Sequence, residues 1–272
     1  MVGPPAGAES ARRPLRLGVV AYLNVEPCVY GLRQDPGFTL ERDVPSRIAE
    51  RLHAGEIDLG MIPSIEYARG DYAIVPGIAI GSRGSVRSVN LFHRVPLDAV
   101  GRVAVDTSSR TSVALLRILL RERLGREPEY VPMPPEVGDM LAQAEAALVI
   151  GDPALYFEGQ AERLDLGAEW LRRTGRSFVF AFWAGRPGAV TAEQVARLQA
   201  ALRAGLGALP AIAANYNGRV AGHTRENEAY LRSNIAFALG EPEQAGLMEF
   251  YRRAHGLGLI NRIPELRFHG DS

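Results

Sequence analysis

The sequence predicts an α/β fold of two lobes joined by two crossing strands, with a ligand cleft between them. Three observations predict it. Strand-turn-helix units fill residues 15–67, and a second set fills residues 102–155. Two further strand-like stretches, 86–92 and 177–184, lie where the chain must pass from one set to the other and back. The third observation is that the chain after Gly188 reads as helices alone, which suits a return to cover the first lobe. Residues 15–93 plus 186–272 are therefore assigned to the first lobe, 94–185 to an inserted second lobe, and 1–14 to a disordered Pro/Gly/Ala tail.

The first unit is Leu15 to Leu32. Leu15 to Val20 reads as a buried strand, Ala21-Tyr22-Leu23-Asn24 as a polar turn, and the residues after it as a helix with Pro27 in its first turn. Turns at the C-terminal edge of such a sheet are where ligands bind, because helix N-termini bring unpaired N–H donors there. Tyr22 and Asn24 are site candidates on that ground, and an Asn in such a turn is equally an ordinary turn residue.

A polar connection over 39–43 leads to a short amphipathic helix with Ile48 and Leu52 one turn apart and Gly55 as its stop. Ile57 to Ile62 is the next strand, and Ser64 opens the helix after it, able to cap or to offer its hydroxyl. Val75 to Ile80 is a further strand. In Val86 to Phe92, alternation puts Ser88 and Asn90 on one face, a polar face suited to lining a cleft.

Arg102 to Asp106 restarts the pattern, and Thr107-Ser108-Ser109-Arg110-Thr111-Ser112 then opens a strong helix with an apolar stripe of Val113, Leu116, Leu120 and Leu124. Hydroxyls, one guanidinium and free backbone donors together would hold a carboxylate or phosphate; a plain N-cap needs only one such residue. Strand, helix and strand follow at 130–133, 136–144 and 147–150. Asp152 before Pro153 reads first as a helix cap and second as a cleft carboxylate. Ser177 to Ala184 is a nearly continuous apolar strand, the expected return crossing.

Composition narrows the function. The chain has 272 residues, 47% hydrophobic and 23% charged, enough for a large core. Its 31 basic residues balance 31 acidic ones, so nothing points to nucleic acid or an anionic membrane. All the basic residues are arginine, which excludes a Schiff-base or P-loop lysine. The single Cys28 reads as a small core residue. The five histidines are scattered with no metal-ligand spacing, and GxGxxG and GxSxG are absent, so no metal, nicotinamide or hydrolase chemistry is expected. Without a signal segment or long apolar run, the expected location is the cytoplasm.

The layout resembles the type II periplasmic-binding-protein fold. Within it, Tyr22-Leu23-Asn24-Val25-Glu26-Pro27, Gly55 to Ser64, Val86-Arg87-Ser88-Val89 and Asp106 to Ser112 resemble the menaquinone-biosynthesis family of the futalosine pathway, its chorismate dehydratases in particular. The resemblance runs from Leu15 to about Pro187. It implies loss of water from chorismate to give 3-[(1-carboxyvinyl)oxy]benzoate without cofactor or metal. A dicarboxylate wants two donor clusters, and the chain offers Ser109, Arg110, Thr111 and Ser112 in one lobe and Ser64, Ser88 and the Arg83/Arg87 region in the other. Two other classes share the fold: a solute-binding protein, which should carry a signal or lipobox cysteine, and an effector sensor, which should carry a DNA-binding helix-turn-helix. The sister enzyme of the pathway, which acts on a futalosine derivative, is a third alternative.

For such a dehydration the expected catalytic residues are Asn24 and Ser88. Tyr22, Ser64, Arg87, Ser109, Arg110, Thr111, Ser112 and Asp152 are the expected substrate contacts. The base is Glu26, Asp152 or the substrate's own enolpyruvyl carboxylate, and the last is preferred because both acids read adequately as helix-end residues.

Overall fold

A computed structural model describes residues 13–216 and 222–270. The tail expected over 1–14 lies outside them except for Arg13 and Pro14, and Arg13 is anchored by an ion pair to Asp58. The chain lays down β1 (Leu15–Val20), β2 (Phe38–Asp43), α1 (Pro45–Ala54), β3 (Leu59–Pro63) and β4 (Ala73–Ser82). It crosses to β5 (Val89–His93), β6 (Arg102–Asp106), α2 (Thr111–Leu124), β7 (Glu129–Met133), α3 (Val137–Gln143), β8 (Ala146–Ile150), α4 (Gly151–Leu155) and β9 (Glu162–Asp165). Helix α5 (Leu166–Thr174) leads back to β10 (Phe178–Gly185), followed by α6 (Ala192–Gly207), α7 (Leu209–Asn215), α8 (Thr224–Ser233) and α9 (Glu241–Gly256).

The strands form two five-stranded sheets, ordered β2-β1-β3-β10-β4 and β7-β6-β8-β5-β9. Each has three parallel strands and then an antiparallel one, β10 beside β3 in the first sheet and β5 beside β8 in the second. Each of these antiparallel strands is delivered by a crossing of the chain. The expected lobe boundaries at 93/94 and 185/186 therefore move: β5 belongs wholly to the second sheet and β10 to the first. What crosses is the loop over 83–88 on the way out and α5 with the turn after it on the way back.

The reason lies in the hydrogen-bonding needs of apolar strands. Phe178, Phe182 and Trp183 of β10 are buried, and a strand buried on both faces has to lie between two others. Strand β5 is buried throughout and is likewise held between β8 and β9. In the outgoing loop Arg87 adopts a left-handed backbone, φ 61°, a conformation that costs a side-chain-bearing residue roughly 1–2 kcal/mol. Asp165 offsets it. Its carboxylate accepts from the Val86 and Arg87 N–H groups at 3.1 and 2.7 Å and from the Ser85 hydroxyl at 2.7 Å, while it also caps α5 through Ala168 N–H at 3.0 Å.

Helix α6 is opened by a capping box in which Thr191 and Gln194 satisfy each other's N–H groups at 3.2 and 2.9 Å. It packs on the 3-10 helix Leu23–Val29 so closely that a Cβ on Gly205 would stand 2.2 Å from the Pro27 carbonyl oxygen. That contact seats the segment carrying Asn24. Cys28, in the same segment, is fully buried as a core residue, and burial pushes its thiol pKa up.

Candidate active site

The C-terminal ends of β1, β3, β6 and β8 converge on one cleft between the sheets. It encloses about 560 Å³ of space, part of it open to solvent. Its walls are apolar, with Val20, Met61, Ile80, Ile150 and Phe180, and its polar groups come from Tyr22, Asn24, Ser88 and residues 109–112. The lobes touch across it. Ser46 N–H donates to the Ser108 carbonyl at 3.0 Å, and the Tyr22 and Ser108 hydroxyls lie 3.3 Å apart.

Asn24 stands inside a 3-10 helix rather than in a free turn, because the chain starts to coil at Leu23. Gly151 is what lets Tyr22 enter. Its φ is 66°, and a Cβ there would meet the Tyr22 ring at 2.6 Å. Ser88 precedes β5 instead of lying on it, and Asn90 does not share its role: the Asn90 amide donates to the Arg87 carbonyl at 2.6 Å and braces the crossing loop. Helix α2 begins at Thr111 with Arg110 in the capping position and no side-chain cap, so the hydroxyls are not spent on capping. The first N–H of α2 seen to bond is that of Ala114, to the Arg110 carbonyl at 3.1 Å, which leaves the first turn as donors. Ser109 and Ser112 are buried beside it, and their hydroxyls have no protein partner among the described residues.

Five expected contacts sit differently. Thr111 lines the cleft, but its hydroxyl accepts from Ile65 N–H at 3.1 Å and lies 3.4 Å from that of Ser64. Ser64, fully buried, donates to the Val179 carbonyl at 2.8 Å and stands behind Thr111 rather than in the cleft. The Arg110 guanidinium points outward to Glu50 at 3.0 Å. Arg87 is exposed, its backbone serving the crossing loop, and Arg83 pairs with buried Glu243 at 2.9 Å. Asp152 is neither the cap of α4, which is Ile150, nor a lining residue. It accepts from Leu23 N–H at 3.1 Å and from the Tyr216 hydroxyl, and so ties the second lobe to the first.

Residues 15–256 match the family described as menaquinone biosynthesis. A chorismate dehydratase from Thermus thermophilus is 35% identical to this chain over 91% of it and 96% of the relative. The chain belongs to the menaquinone-biosynthesis family. A second chorismate dehydratase, from Campylobacter jejuni, is 27% identical over 60% of the chain and 64% of its own length. Among solved structures, protein AF1704 from Archaeoglobus fulgidus superposes with a TM-score of 0.74 at 17% identity, covering 92% of this chain and 100% of that one. The periplasmic aliphatic sulphonate binding protein SsuA from Escherichia coli gives 0.62 at 16% identity, covering 96% of each. These two show the fold, which is periplasmic-binding-protein-like as the sequence predicts.

In this member of the menaquinone-biosynthesis family, no cleft-lining residue among those described is an Asp, Glu, His or Cys. Glu26 faces away, paired with Arg42 at 2.8 Å, and lines a separate surface depression. No group of three or more His, Cys, Asp or Glu side chains is placed to hold a metal ion among the described residues, and no helix among them is long and apolar enough to cross a membrane.

Three groups escape sequence reasoning. Asp106 is buried behind the cleft, where it accepts from the Ser108 N–H and hydroxyl at 2.8 and 2.6 Å and from Ile150 N–H at 3.3 Å. Burial raises its pKa against those bonds. It holds Ser108, and through Ser108 the Tyr22 hydroxyl. The Asp-Thr-Ser spacing was the available signal. Phe180 reads only as core in the apolar run, and Tyr230 lies in a distant helix with no motif around it.

Proposed function

We propose that this protein removes water from chorismate to give 3-[(1-carboxyvinyl)oxy]benzoate, the first step of the futalosine route to menaquinone, and that it does so in the cytoplasm. One observation carries the chemistry. The cleft offers donors, from Asn24, Ser88, Ser109, Ser112 and the α2 N-terminus, and among the described residues that line it no group able to take a proton at neutral pH. A substrate that brings its own base suits such a site, and the chorismate dehydratases among its relatives supply the substrate.

The α2 terminus, with its dipole and the Ser109 and Ser112 hydroxyls, binds one carboxylate. The enolpyruvyl carboxylate takes the ring C3 proton. The electron pair of that C–H bond becomes the new ring double bond as the C4–O bond breaks. The departing hydroxide then collects the proton from the carboxylic acid, so the net loss is one water. Aromatisation favours the product strongly, and the protein has only to orient the base and donate to the leaving oxygen. Asn24 and Ser88 take the second task in this reading, since amide N–H and hydroxyl O–H both donate.

Purified protein incubated with chorismate alone should yield a product lighter by one water, at the same rate with and without a chelator. Absence of turnover would overturn the function. Loss on chelation, restored by added metal, would overturn its cofactor-free part.

A further inference from the structure

One of the two donors assigned to the leaving oxygen, Ser88, meets a side chain that the mechanism so far leaves unused. Tyr230 of α8 is 1% exposed, and its hydroxyl donates to Ser88 Oγ at 2.7 Å. The acceptor that Ser88 Oγ reaches among the described residues is the Val86 carbonyl at 3.5 Å, at the long limit of a hydrogen bond and weak against the 2.7 Å bond it accepts.

On the dehydration reading, we infer that Tyr230 is a positioning residue which makes Ser88 a one-way donor. By filling the acceptor side of Ser88 Oγ, the phenol turns the serine's own proton into the cleft, where the C4 hydroxyl must leave. Burial raises the Tyr230 pKa, which keeps the hydroxyl protonated and donating throughout the working pH range. Deleting the phenol oxygen frees Ser88 to rotate and to accept from the substrate hydroxyl, the wrong polarity for a leaving group.

Tyr230→Phe, Ser88→Ala and their double variant separate this role from a structural one. Tyr156→Phe serves as the control, because the Tyr156 hydroxyl donates to Asn227 of the same helix at 2.7 Å, whereas it is Tyr230 that donates to Ser88. Tyr230→Phe should lower kcat about tenfold with KM within about twofold, the size of one lost hydrogen bond realised in the transition state. Adding it to Ser88→Ala should lower kcat no further, and Tyr156→Phe should leave kcat as it was. Four results would overturn the role: an unchanged kcat in Tyr230→Phe, losses that multiply in the double variant, an equal loss in Tyr156→Phe, or a Tyr230→Phe protein that does not fold. A wild-type protein without turnover would instead sink the dehydration reading itself, together with this inference.

Discussion

Asn24→Ala should lower kcat by about a hundredfold or more while KM changes only a few-fold, the pattern of a donor lost from the transition state. The side chain lines the cleft on a 3-10 helix braced by α6, so truncation leaves its backbone seat intact. Asn24 has no ion pair or cap to lose, which separates a chemical effect from a folding one. The carboxylates nearby make the contrast. Glu26 is tied to Arg42 outside the cleft and Asp152 to Leu23 N–H and Tyr216, so Glu26→Gln and Asp152→Asn should each keep measurable activity. A complete loss in either, with circular dichroism unchanged, would move the base from the substrate to that residue.

Ser109→Ala and Ser112→Ala together should act on the other constant, raising KM. A hydrogen bond to a charged group is worth roughly 1.5–3 kcal/mol, so each lost hydroxyl should raise KM about tenfold or more. The fold should survive, because neither hydroxyl caps α2 or bonds another described residue. Thr111→Val is the wrong probe for this purpose. Its hydroxyl satisfies Ile65 N–H in the interior, and the variant should lose melting temperature as well as affinity. Unchanged steady-state constants in the two-serine variant would leave the stretch as a mere helix entrance.

What was legible in the sequence was whatever rests on local pattern. β1, α1, β3, α2 and β8 follow from apolar periodicity with Gly or polar punctuation, and the donor-rich helix entrance at 107–112 from composition alone. Two of the four edge strands were not legible, although β4 and β7 were. β2 (FTLERD) and β9 (ERLD) lie at sheet edges, are mostly half-buried or exposed, and lack the alternation that a buried face imposes. The lobe assignment of β5 and β10 was missed because a one-dimensional pattern shows that a strand is buried, not which sheet buries it. Ser64, Arg110 and Asp152 have the chemistry and chain position of site residues, but their side chains are taken by long-range partners, Val179, Glu50, and Leu23 with Tyr216. Arg87 is exposed and meets Asp165 through its backbone N–H. Tyr230 is the converse case, brought to Ser88 across 142 residues.

Chorismate carrying deuterium at ring C3 tests the central claim most directly, by mass spectrometry of the product and of the protein's rate on labelled and unlabelled substrate. Elimination across C3 and C4 in this cleft predicts a product lighter than the labelled substrate by one HDO, with slower turnover of the labelled compound if C–H cleavage limits the rate. A product that keeps its deuterium, or labelled chorismate recovered unchanged, would contradict it.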